Sequence, residues 1–363
     1  HFDLCLQCRA CETACPSGVQ YGRIMESARA KVGIREDRPS SWKLRQAILR
    51  FAFAAPWRLQ LGFGALRLYQ RLPFRSLIRS LLPERLRQME STLPSLPDHF
   101  FRPTAVLGGP ASGAPKTTVA MLTGCVMPLT YPVAHEATVR VLARNGCRVL
   151  APVNQGCCGA LHVHNGDPAA ARKLARKNID AFLESGAEAI IVNAAGCGST
   201  MKEYAELFAG DRVYEARARA FASKVKDVTE FLAELPFEPP SGRVDARVTY
   251  QDSCHLVHAQ KVRNAPRQVL HSIPGLELVE MEAPDRCCGS AGIYNVTQPD
   301  MSRQVLDMKM ADALATRPDI IATANPGCML QLELGVRNAK GNQEVVHVVE
   351  LLDRAYEAEI HPD

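Results

Sequence analysis

The chain has 363 residues, a formal net charge of +5 and 47% hydrophobic residues, enough apolar content for two or three domains with buried cores. Its thirteen cysteines are odd in number and clustered, which argues against a secreted disulfide framework and favours thiolates kept reduced as metal ligands. The first residues do not resemble a signal peptide, and no apolar run approaches the roughly 18 residues of a membrane span. We therefore expect a cytoplasmic protein.

The chain opens on a motif with the spacing Cys-x2-Cys-x2-Cys-x3-Cys-Pro, formed by Cys5, Cys8, Cys11, Cys15 and Pro16. Bacterial ferredoxins with two [4Fe–4S] clusters use this spacing, and the fourth cysteine binds the other cluster. A zinc site would more often use two separated Cys-x2-Cys pairs. We predict that residues 1–36 are the C-terminal half of such a two-cluster domain, with a helix over 19–30. Because the chain starts inside the motif, we expect the N-terminal half to precede His1.

Residues 37–90 form a basic segment. Ten Lys or Arg against two acidic residues between positions 41 and 90 give a local charge of +8, and both tryptophans lie there. Prolines at 56, 73 and 83 predict short helices with breaks at those positions. The helices either lie on an anionic membrane surface or an acidic partner, or pack on their own domain with arginines reaching to water. We expect no nucleic-acid partner. Residues 91–117, rich in proline, are predicted to be a linker.

The rest of the chain is an internal repeat. Three pairs of segments match: 119–125 with 248–254, 157–159 with 287–289, and 190–197 with 321–328. The cysteines in these pairs are offset by 129, 130 and 131 residues, so two units have been duplicated with hardly any drift in spacing. We place the two cysteine-rich units at 118–236 and 243–356.

Apolar strands alternate with helical patterns in each unit, for example at 169–185 and 301–316. This alternation predicts an α/β fold, a duplicated cysteine-rich domain with parallel-type sheets. The cysteines then lie just past the carboxyl ends of strands, where α/β sheets bind their ligands.

Each repeat supplies four candidate metal ligands: Cys125, Cys157, Cys158 and Cys197 in the first, and Cys254, Cys287, Cys288 and Cys328 in the second. Adjacent cysteines suit a polynuclear iron–sulfur cluster, because two thiolates can bind different irons. Neighbouring glycines let backbone N–H groups bond to sulfur. A zinc site and a redox-active disulfide remain alternatives.

Four histidines near these cysteines are also candidates: His162, His164, His255 and His258. Histidine can ligate iron or move protons. The two pairs do not recur at matching positions, which favours local hydrogen bonding over a shared ligand role. Cys147 falls outside the pattern, and we predict a buried free thiol.

The run CLQCRACETACPSGVQYGRIME followed by two Cys…CCG…Cys repeats resembles the iron-sulfur subunit of bacterial glycolate oxidase (glycolate dehydrogenase) over nearly the whole chain. NAAGC, RCCGSAGIYN and NPGCMLQ are its most specific pieces. The resemblance implies that a separate FAD-containing subunit oxidises glycolate to glyoxylate, while this chain, without flavin or catalytic residues, passes electrons towards the quinone pool. The basic aromatic segment 41–90 would fit peripheral contact of this cytoplasmic protein with the inner membrane. Glycolate and lactate both remain open as the substrate.

The cysteine-rich domain is also similar to that of heterodisulfide reductase, anaerobic glycerol-3-phosphate dehydrogenase and L-lactate utilisation proteins. In the heterodisulfide reductase form each repeat ends in Cys-x-x-Cys, which gives a fifth thiolate; here Thr200 and Gln331 stand at those positions. A thiol–disulfide reductase and a structural zinc scaffold are therefore the rival hypotheses. Metal analysis with EPR, and reduction of a heterodisulfide by the isolated chain, would distinguish them from electron transfer.

Overall fold

The computed structural model describes residues 2–33, 39–74, 79–80, 82–83, 87, 90 and 93–360. The N-terminal part is helical: a 3₁₀ turn at Phe2–Leu4, α1 at Ala10–Ala14, α2 at Tyr21–Gly33, α3 at Ser40–Phe53 and α4 at Pro56–Arg71. The predicted break at Pro56 is confirmed, because Pro56 opens α4, where its missing N–H needs no partner. Arg75, Glu84 and Arg85 of the predicted basic segment lie outside the described residues. None of the helices in the described ranges combines the length and apolar character needed to cross a membrane.

The first repeat is built on five short strands: β1 Val106–Gly108, β2 Thr117–Met121, β3 Cys147–Leu150, β4 Ala189–Val192 and β5 Val225–Asp227. Within the described residues the sheet order is β1-β3-β2-β4-β5, with β2 to β5 parallel and β1 antiparallel to β3. Part of the segment predicted as a linker, 91–117, is therefore an edge strand. Strand β1 has only three residues, too few to show the alternation of apolar and polar residues that identifies a strand in sequence.

The second repeat has four parallel strands in the described part of the chain: β6 Ala246–Tyr250, β7 Leu276–Leu278, β8 Ile320–Thr323 and β9 Glu344–His347. Their order, β7-β6-β8-β9, reproduces β3-β2-β4-β5 of the first repeat. Every residue of β4 and of β8 is buried, as expected for strands of a parallel sheet covered on both faces. The predicted α/β class and the duplication are confirmed.

Helices cover both sheets. The first repeat contains α5 Met127–Thr130, α6 Pro132–Arg144, α7 Ala160–His164, α8 Pro168–Glu184, α9 Ala195–Lys202, α10 Tyr204–Leu207, α11 Glu215–Ala222 and α12 Val228–Glu234. The second contains a π-helical turn at His255–Ala259, then α13 Asn264–His271, α14 Tyr294–Thr297, α15 Pro299–Ala315, α16 Pro326–Asn338 and α17 Val348–Ile360. The two predicted helical patterns correspond to α8 and α15 within two residues at each end.

The repeats pack on each other with an approximate two-fold relation. Helix α6 contacts α17, and α12 contacts α13, so a helix near the start of each repeat meets the last helix of the other. Arg140 on α6 binds both carboxylate oxygens of Asp353 on α17. One hydrophobic core contains buried residues from both sheets, including Val119 and Val248. Because the core is shared, the two repeats are held in a fixed relative position.

A buried carboxylate in the first turn of α17 predicts a pH-dependent stability. Glu350 accepts a hydrogen bond from the backbone N–H of His347 at 3.1 Å, and burial raises the pKa of Glu350 from 4.5 to about 7. Because folding raises this pKa, the stabilising contribution of Glu350 is fully present below pH 4.5 and is lost as the pH rises through about 7. We expect Glu350→Gln to stabilise the protein by about 3 kcal/mol at pH 8.5 and by much less at pH 5.5.

Thermal unfolding at the two pH values measures this difference. Glu357→Gln, at an exposed position on the same helix, is the matched control and should shift the melting temperature little at either pH. Equal stabilisation by Glu350→Gln at both pH values would show that folding does not raise the pKa of Glu350.

Candidate metal centre

The four cysteines of the first repeat meet at the carboxyl edge of its sheet. Cys125 follows β2, the adjacent pair Cys157 and Cys158 follows β3, and Cys197 lies in the first turn of α9, directly after β4. The Sγ atoms of Cys125 and Cys157 are 3.6 Å apart, and those of Cys158 and Cys197 are 3.1 Å apart. Strands β3 and β4 lie on opposite sides of β2, so the strand order reverses between β2 and β4. The thiols converge at this switch point, where α/β sheets bind their ligands.

The second repeat places its cysteines in the same way. Cys254 follows β6, and Cys328 lies in the first turn of α16, after β8. The thiol of Cys287 interacts with that of Cys254, and Cys288 interacts with Cys328. Both repeats therefore have the same order of thiol contacts, with the adjacent pair in the middle. All eight cysteines are free thiols.

A glycine after each cysteine pair shapes the loop. Gly159 and Gly289 have φ values of +83° and +88°, a left-handed conformation that residues with a Cβ rarely adopt. Their backbone N–H groups donate to Cys157 Sγ and Cys287 Sγ, each at 3.4 Å. Such bonds stabilise a thiolate and tune the potential of a bound cluster.

The electrostatic surroundings shift the pKa values of the two adjacent thiols of each repeat in opposite directions. Side-chain interactions with the neighbouring thiols of Cys157 and Cys197 lower the pKa of Cys158. Cys254 and Cys288 lower the pKa of Cys287 in the same way. The thiolates of Cys158 in the first repeat and of Cys287 and Cys328 in the second are thus favoured before any metal binds, and a thiolate is the form that ligates metals.

All eight cysteines line a single cavity of about 250 Å³ between the repeats. The repeats meet across it through backbone, because Ala195 N donates to Ala324 O at 3.1 Å and Gly196 N donates to the Asn325 side chain at 3.1 Å. In the part of the chain that the structure describes, no three His, Cys, Asp or Glu side chains are grouped as ligands of one metal ion. Two sets of four soft sulfur donors, each with an adjacent pair and backbone N–H groups aimed at sulfur, fit polynuclear iron–sulfur centres.

The N-terminal cysteine loop packs against the second repeat. The backbone carbonyl of Gln7 is 2.9 Å from His255 Nε2, and the carbonyl of Leu4 accepts from the Tyr294 hydroxyl at 3.0 Å. Thr13 Oγ1 is 2.9 Å from His258 Nδ1. Positive φ values at Gln7 and Arg9 fold this loop tightly. The motif thus lies beside the second-repeat thiols rather than at the end of a flexible arm.

The thiols of the loop and of the second repeat are close enough to interact. Burial, together with charge repulsion from Cys287 and Cys5, raises the pKa of Cys8 to about 11. In the loop itself, the backbone N–H of Gln7 donates to Cys5 Sγ at 3.4 Å. Cys15 lies after α1, and backbone N–H groups, foremost that of Val19, lower its pKa.

Helix α2 connects the motif to the first repeat instead. Arg29 donates to the carbonyl of His164 at 2.7 Å, and the His164 ring contacts the Glu26 carboxylate at 3.1 Å. Arg9 forms ion pairs with Glu12 and Glu203. The predicted hydrogen-bonding role is confirmed for His164, His255 and His258, although their partners are distant in sequence. His162 is buried, with Nδ1 3.9 Å from Asp167 Oδ2.

Comparison with known proteins identifies the family to which the chain belongs. A model of the cysteine-rich domain (CCG) matches residues 119–202 and 248–333, and a model of the linker region of the glycolate oxidase iron-sulfur subunit matches 43–93. The chain is 40% identical to the probable glycolate oxidase iron-sulfur subunit of Bacillus subtilis over 97% of this chain and 81% of that protein. The chain belongs to the glycolate oxidase iron-sulfur subunit family. It is 34% identical to the Escherichia coli subunit over 99% of this chain and 83% of that protein.

Members of this family are iron–sulfur components of an oxidoreductase complex, and the chain is an electron-transfer subunit that works with a catalytic partner subunit. The chain is also similar to proteins outside this family: lactate utilization protein A of Shouchella clausii is 31% identical over 65% of this chain and 98% of that protein. A crystal structure of a hypothetical protein from Helicobacter pylori has the same fold over 71% of this chain and 52% of its own, with a TM-score of 0.51 and 10% identity.

The two positions that depart from the heterodisulfide reductase pattern do not face the cavity. Thr200 Oγ1 donates to the carbonyl of Gly196 at 3.2 Å, one turn earlier in its own helix. Gln331 donates to Ser302 Oγ at 3.1 Å and is buried behind the Gly289 loop. Neither side chain lines the cavity, so each site has the four thiols described above and no fifth donor from these positions.

Cys147 is separate from both thiol groups. It lies in β3, fully buried in the shared core, and burial raises its pKa to about 11. The prediction of a buried free thiol is confirmed. Its thiol stays protonated at neutral pH and is a poor metal ligand.

Proposed function

We propose that the four cysteines of each repeat hold one iron–sulfur centre. The ligands are Cys125, Cys157, Cys158 and Cys197 in the first repeat, and Cys254, Cys287, Cys288 and Cys328 in the second. A bound centre supplies reversible one-electron transfer. The chain's own residues hold the thiolates in place, donate N–H bonds from Gly159 and Gly289, and keep the thiols away from solvent. The convergence of eight thiols on one cavity is the observation that carries this proposal.

The N-terminal motif holds [4Fe–4S] clusters in the intact two-cluster module. Cys5, Cys8 and Cys11 supply three ligands of one cluster, and Cys15 supplies one ligand of the other. The tight loop at Gln7 and Arg9 keeps the first three thiols close enough to interact with one another. Hydrogen bonds to His255, His258 and Tyr294 hold this loop against the second repeat.

The partner subunit is an FAD protein that oxidises glycolate to glyoxylate, which releases two electrons and two protons. This chain accepts the electrons one at a time and passes them to a membrane quinone, which takes up two electrons and two protons to form the quinol. The names of the relatives, glycolate oxidase iron-sulfur subunits, support glycolate as the substrate. Lactate is the second candidate, because lactate utilization protein A is also similar.

Quinone reduction by the complex tests this assignment. With the flavoprotein partner and this chain together, glycolate should reduce a short-chain quinone, and omission of this chain should abolish that activity while a dye that accepts electrons from flavin is still reduced. Replacing glycolate with lactate tests the second candidate. Equal quinone reduction with and without this chain would contradict the proposal.

The chain also binds the cytoplasmic face of the inner membrane through α3 and α4. The apolar side chains of Leu44, Ile48 and Phe51 on α3, and of Trp57, Leu61 and Leu68 on α4, are 55–66% exposed. Their spacing of three, four or seven residues places them along one face of each helix. Arginine lies beside them, since the Arg58 guanidinium stacks over Phe51 at 4.3 Å. An exposed apolar face bordered by basic residues and tryptophan fits an anionic lipid surface.

Vesicle binding tests this surface. We expect co-sedimentation with vesicles that contain phosphatidylglycerol and little with phosphatidylcholine alone, and the double variant Leu61→Ser, Leu68→Ser should weaken binding about tenfold or more. The matched control is Val153→Ser with Val213→Ser, two exposed valines elsewhere. Undiminished binding by the leucine variant would exclude this face as the membrane contact.

A further inference from the structure

A lysine is buried in the second repeat where the first repeat has an asparagine. Helix α8 begins at Pro168 and α15 at Pro299, an offset of 131 residues, which is the same offset that relates Cys197 to Cys328. With that offset Asn178 corresponds to Lys309. Both side chains are 0% exposed. A fully buried lysine is rare and needs a reason.

Both side chains support the loop that carries the cysteine pair. Asn178 accepts from Gly156 N at 2.8 Å and donates to the carbonyl of Cys157 at 3.0 Å. Lys309 Nζ donates to the carbonyl of Ala283 at 2.7 Å and to that of Pro284 at 3.2 Å. A neutral amide is thus sufficient for this structural role in the first repeat, and the charge of Lys309 is not explained by it.

The surroundings of Lys309 suit an ammonium group. Besides the two carbonyls, Met281 Sδ accepts at 3.8 Å, which gives three acceptors for three N–H donors. Burial lowers the pKa of Lys309, while the nearby Asp312 carboxylate and the Cys288 thiol raise it. The hydrogen bonds to Ala283 and Pro284 place this buried cation behind the loop that carries Cys287 and Cys288.

Other charged groups near Lys309 are mostly paired or exposed. Asp252 binds Arg267, with both carboxylate oxygens 3.0 Å from the guanidinium, and Arg267 also binds Glu280. Asp312 is partly exposed and accepts from the backbone N–H groups of Glu282 and Ala283. Arg286 adds a further positive charge. Lys309 therefore places a fully buried positive charge behind the Cys287–Cys288 loop, whereas Asn178 contributes no charge to the first repeat.

We propose that Lys309 raises the reduction potential of the second-repeat centre above that of the first-repeat centre. An added electron makes a centre more negative, and a buried cation stabilises that charge much more strongly than an exposed one. The two repeats hold the same four thiols and the same glycine N–H bonds, and Lys309 is a buried charge that the first repeat lacks at the matching position. The inference rests on the proposed occupation of both centres by iron and sulfide.

The position of the second repeat determines where this difference in reduction potential directs electrons. The second repeat is the one against which the N-terminal cysteine loop packs, through Gln7 with His255 and Leu4 with Tyr294. Electrons move towards the centre of higher potential. Electrons on the two cysteine-rich domains therefore collect at the centre next to the N-terminal clusters, from which they pass to or from the rest of the relay.

Redox titration followed by EPR tests the inference in the full-length protein. Variants that lack Cys157 and Cys158, or Cys287 and Cys288, assign the signal of each repeat. In the unsubstituted protein we expect the second-repeat signal to titrate at the higher potential. Lys309→Gln removes the charge but keeps a donor, and it should shift that signal to lower potential. Lys340→Gln, the same change at an exposed position, should leave it unshifted.

A second variant keeps the test decisive if Lys309→Gln fails to fold. Asp312→Asn removes a negative charge from the same surroundings and should shift the second-repeat signal to higher potential. A higher potential for the first-repeat centre, or an unshifted second-repeat signal in both variants with full iron content, would overturn the inference. If neither repeat contains iron in the unsubstituted protein, the proposed function fails and not only the role of Lys309.

Discussion

Gly289→Ala is expected to destroy the second-repeat centre while the first-repeat centre is retained. A Cβ at Gly289 would lie 2.5 Å from the backbone carbonyl oxygen of Ser302, which is fixed in α15 and cannot move as a flexible side chain could. The left-handed φ of +88° costs an alanine about 1–2 kcal/mol, and the overpacking adds about 1–3 kcal/mol. The loop that carries Cys287 and Cys288 must therefore shift, and iron and sulfide of that repeat should be lost.

Iron and labile-sulfide analysis, together with the melting temperature, measures this effect. Gly210→Ala is the matched control, because Gly210 also has a positive φ, +79°, but nothing lies within 4 Å of its added Cβ. The control should cost stability without loss of iron. Full iron content in Gly289→Ala would show that the Cys-Cys-Gly loop does not need this backbone conformation to hold its centre.

Cys158→Ser is expected to remove the first-repeat centre and leave the second intact. Cys158 Sγ lies 3.1 Å from Cys197 Sγ, and neighbouring thiols lower its pKa, so it is the thiol of that repeat most ready to bind metal. Serine is a far weaker ligand for iron. Cys288→Ser should have the reciprocal effect on the second repeat, and the double variant should lose the iron of both.

Cys147→Ala is the control for this pair of variants. Cys147 is as deeply buried but lies in the shared core, so its loss should leave a small cavity that costs about 1 kcal/mol and should leave the iron content unchanged. Iron content that falls equally in Cys147→Ala and Cys158→Ser would point to general unfolding. Zinc in place of iron in the unsubstituted protein would favour the structural scaffold.

The repeated architecture was accessible from sequence because its signals are local. Matching strands, the Cys-Cys-Gly triplet and the constant offset between Cys197 and Cys328 define two equal units without knowledge of distant contacts. Strand β4 is a continuous apolar run, β8 is one except for Thr323, and Cys197 and Cys328 lie in the first turn of the helix that follows each strand. Strand β1 was missed because it has only three residues and pairs with β3, about forty positions later.

Contacts between distant segments were not predictable in this way. The ion pair of Arg9 with Glu203 joins residues 194 positions apart, and the bond of Leu4 to Tyr294 joins residues 290 positions apart. A single sequence does not report such pairs. For the same reason the common cavity of the two repeats appears only once the sheets are packed. Lys309 was overlooked because a lone lysine in a helix is ordinarily on the surface.

The basic segment shows where a sequence pattern leaves two outcomes open. Aromatic and basic residues at helical spacing are equally compatible with a face that packs inward and one that points outward. The structure turns Leu61 and Leu68 outward and buries Gln46 and Leu49 of α3 instead. Only the packing of α3 against α7, near His164, decides which face is covered.

EPR of the complex with its catalytic partner, frozen after anaerobic addition of glycolate, tests the account most directly. Reduced iron–sulfur signals should appear within the time of substrate oxidation, and the part that disappears in the Cys158→Ser, Cys288→Ser double variant belongs to the two cysteine-rich domains. Glyoxylate formation and flavin reduction without any such signal, in a chain with full iron content, would contradict the role of this chain as the electron carrier.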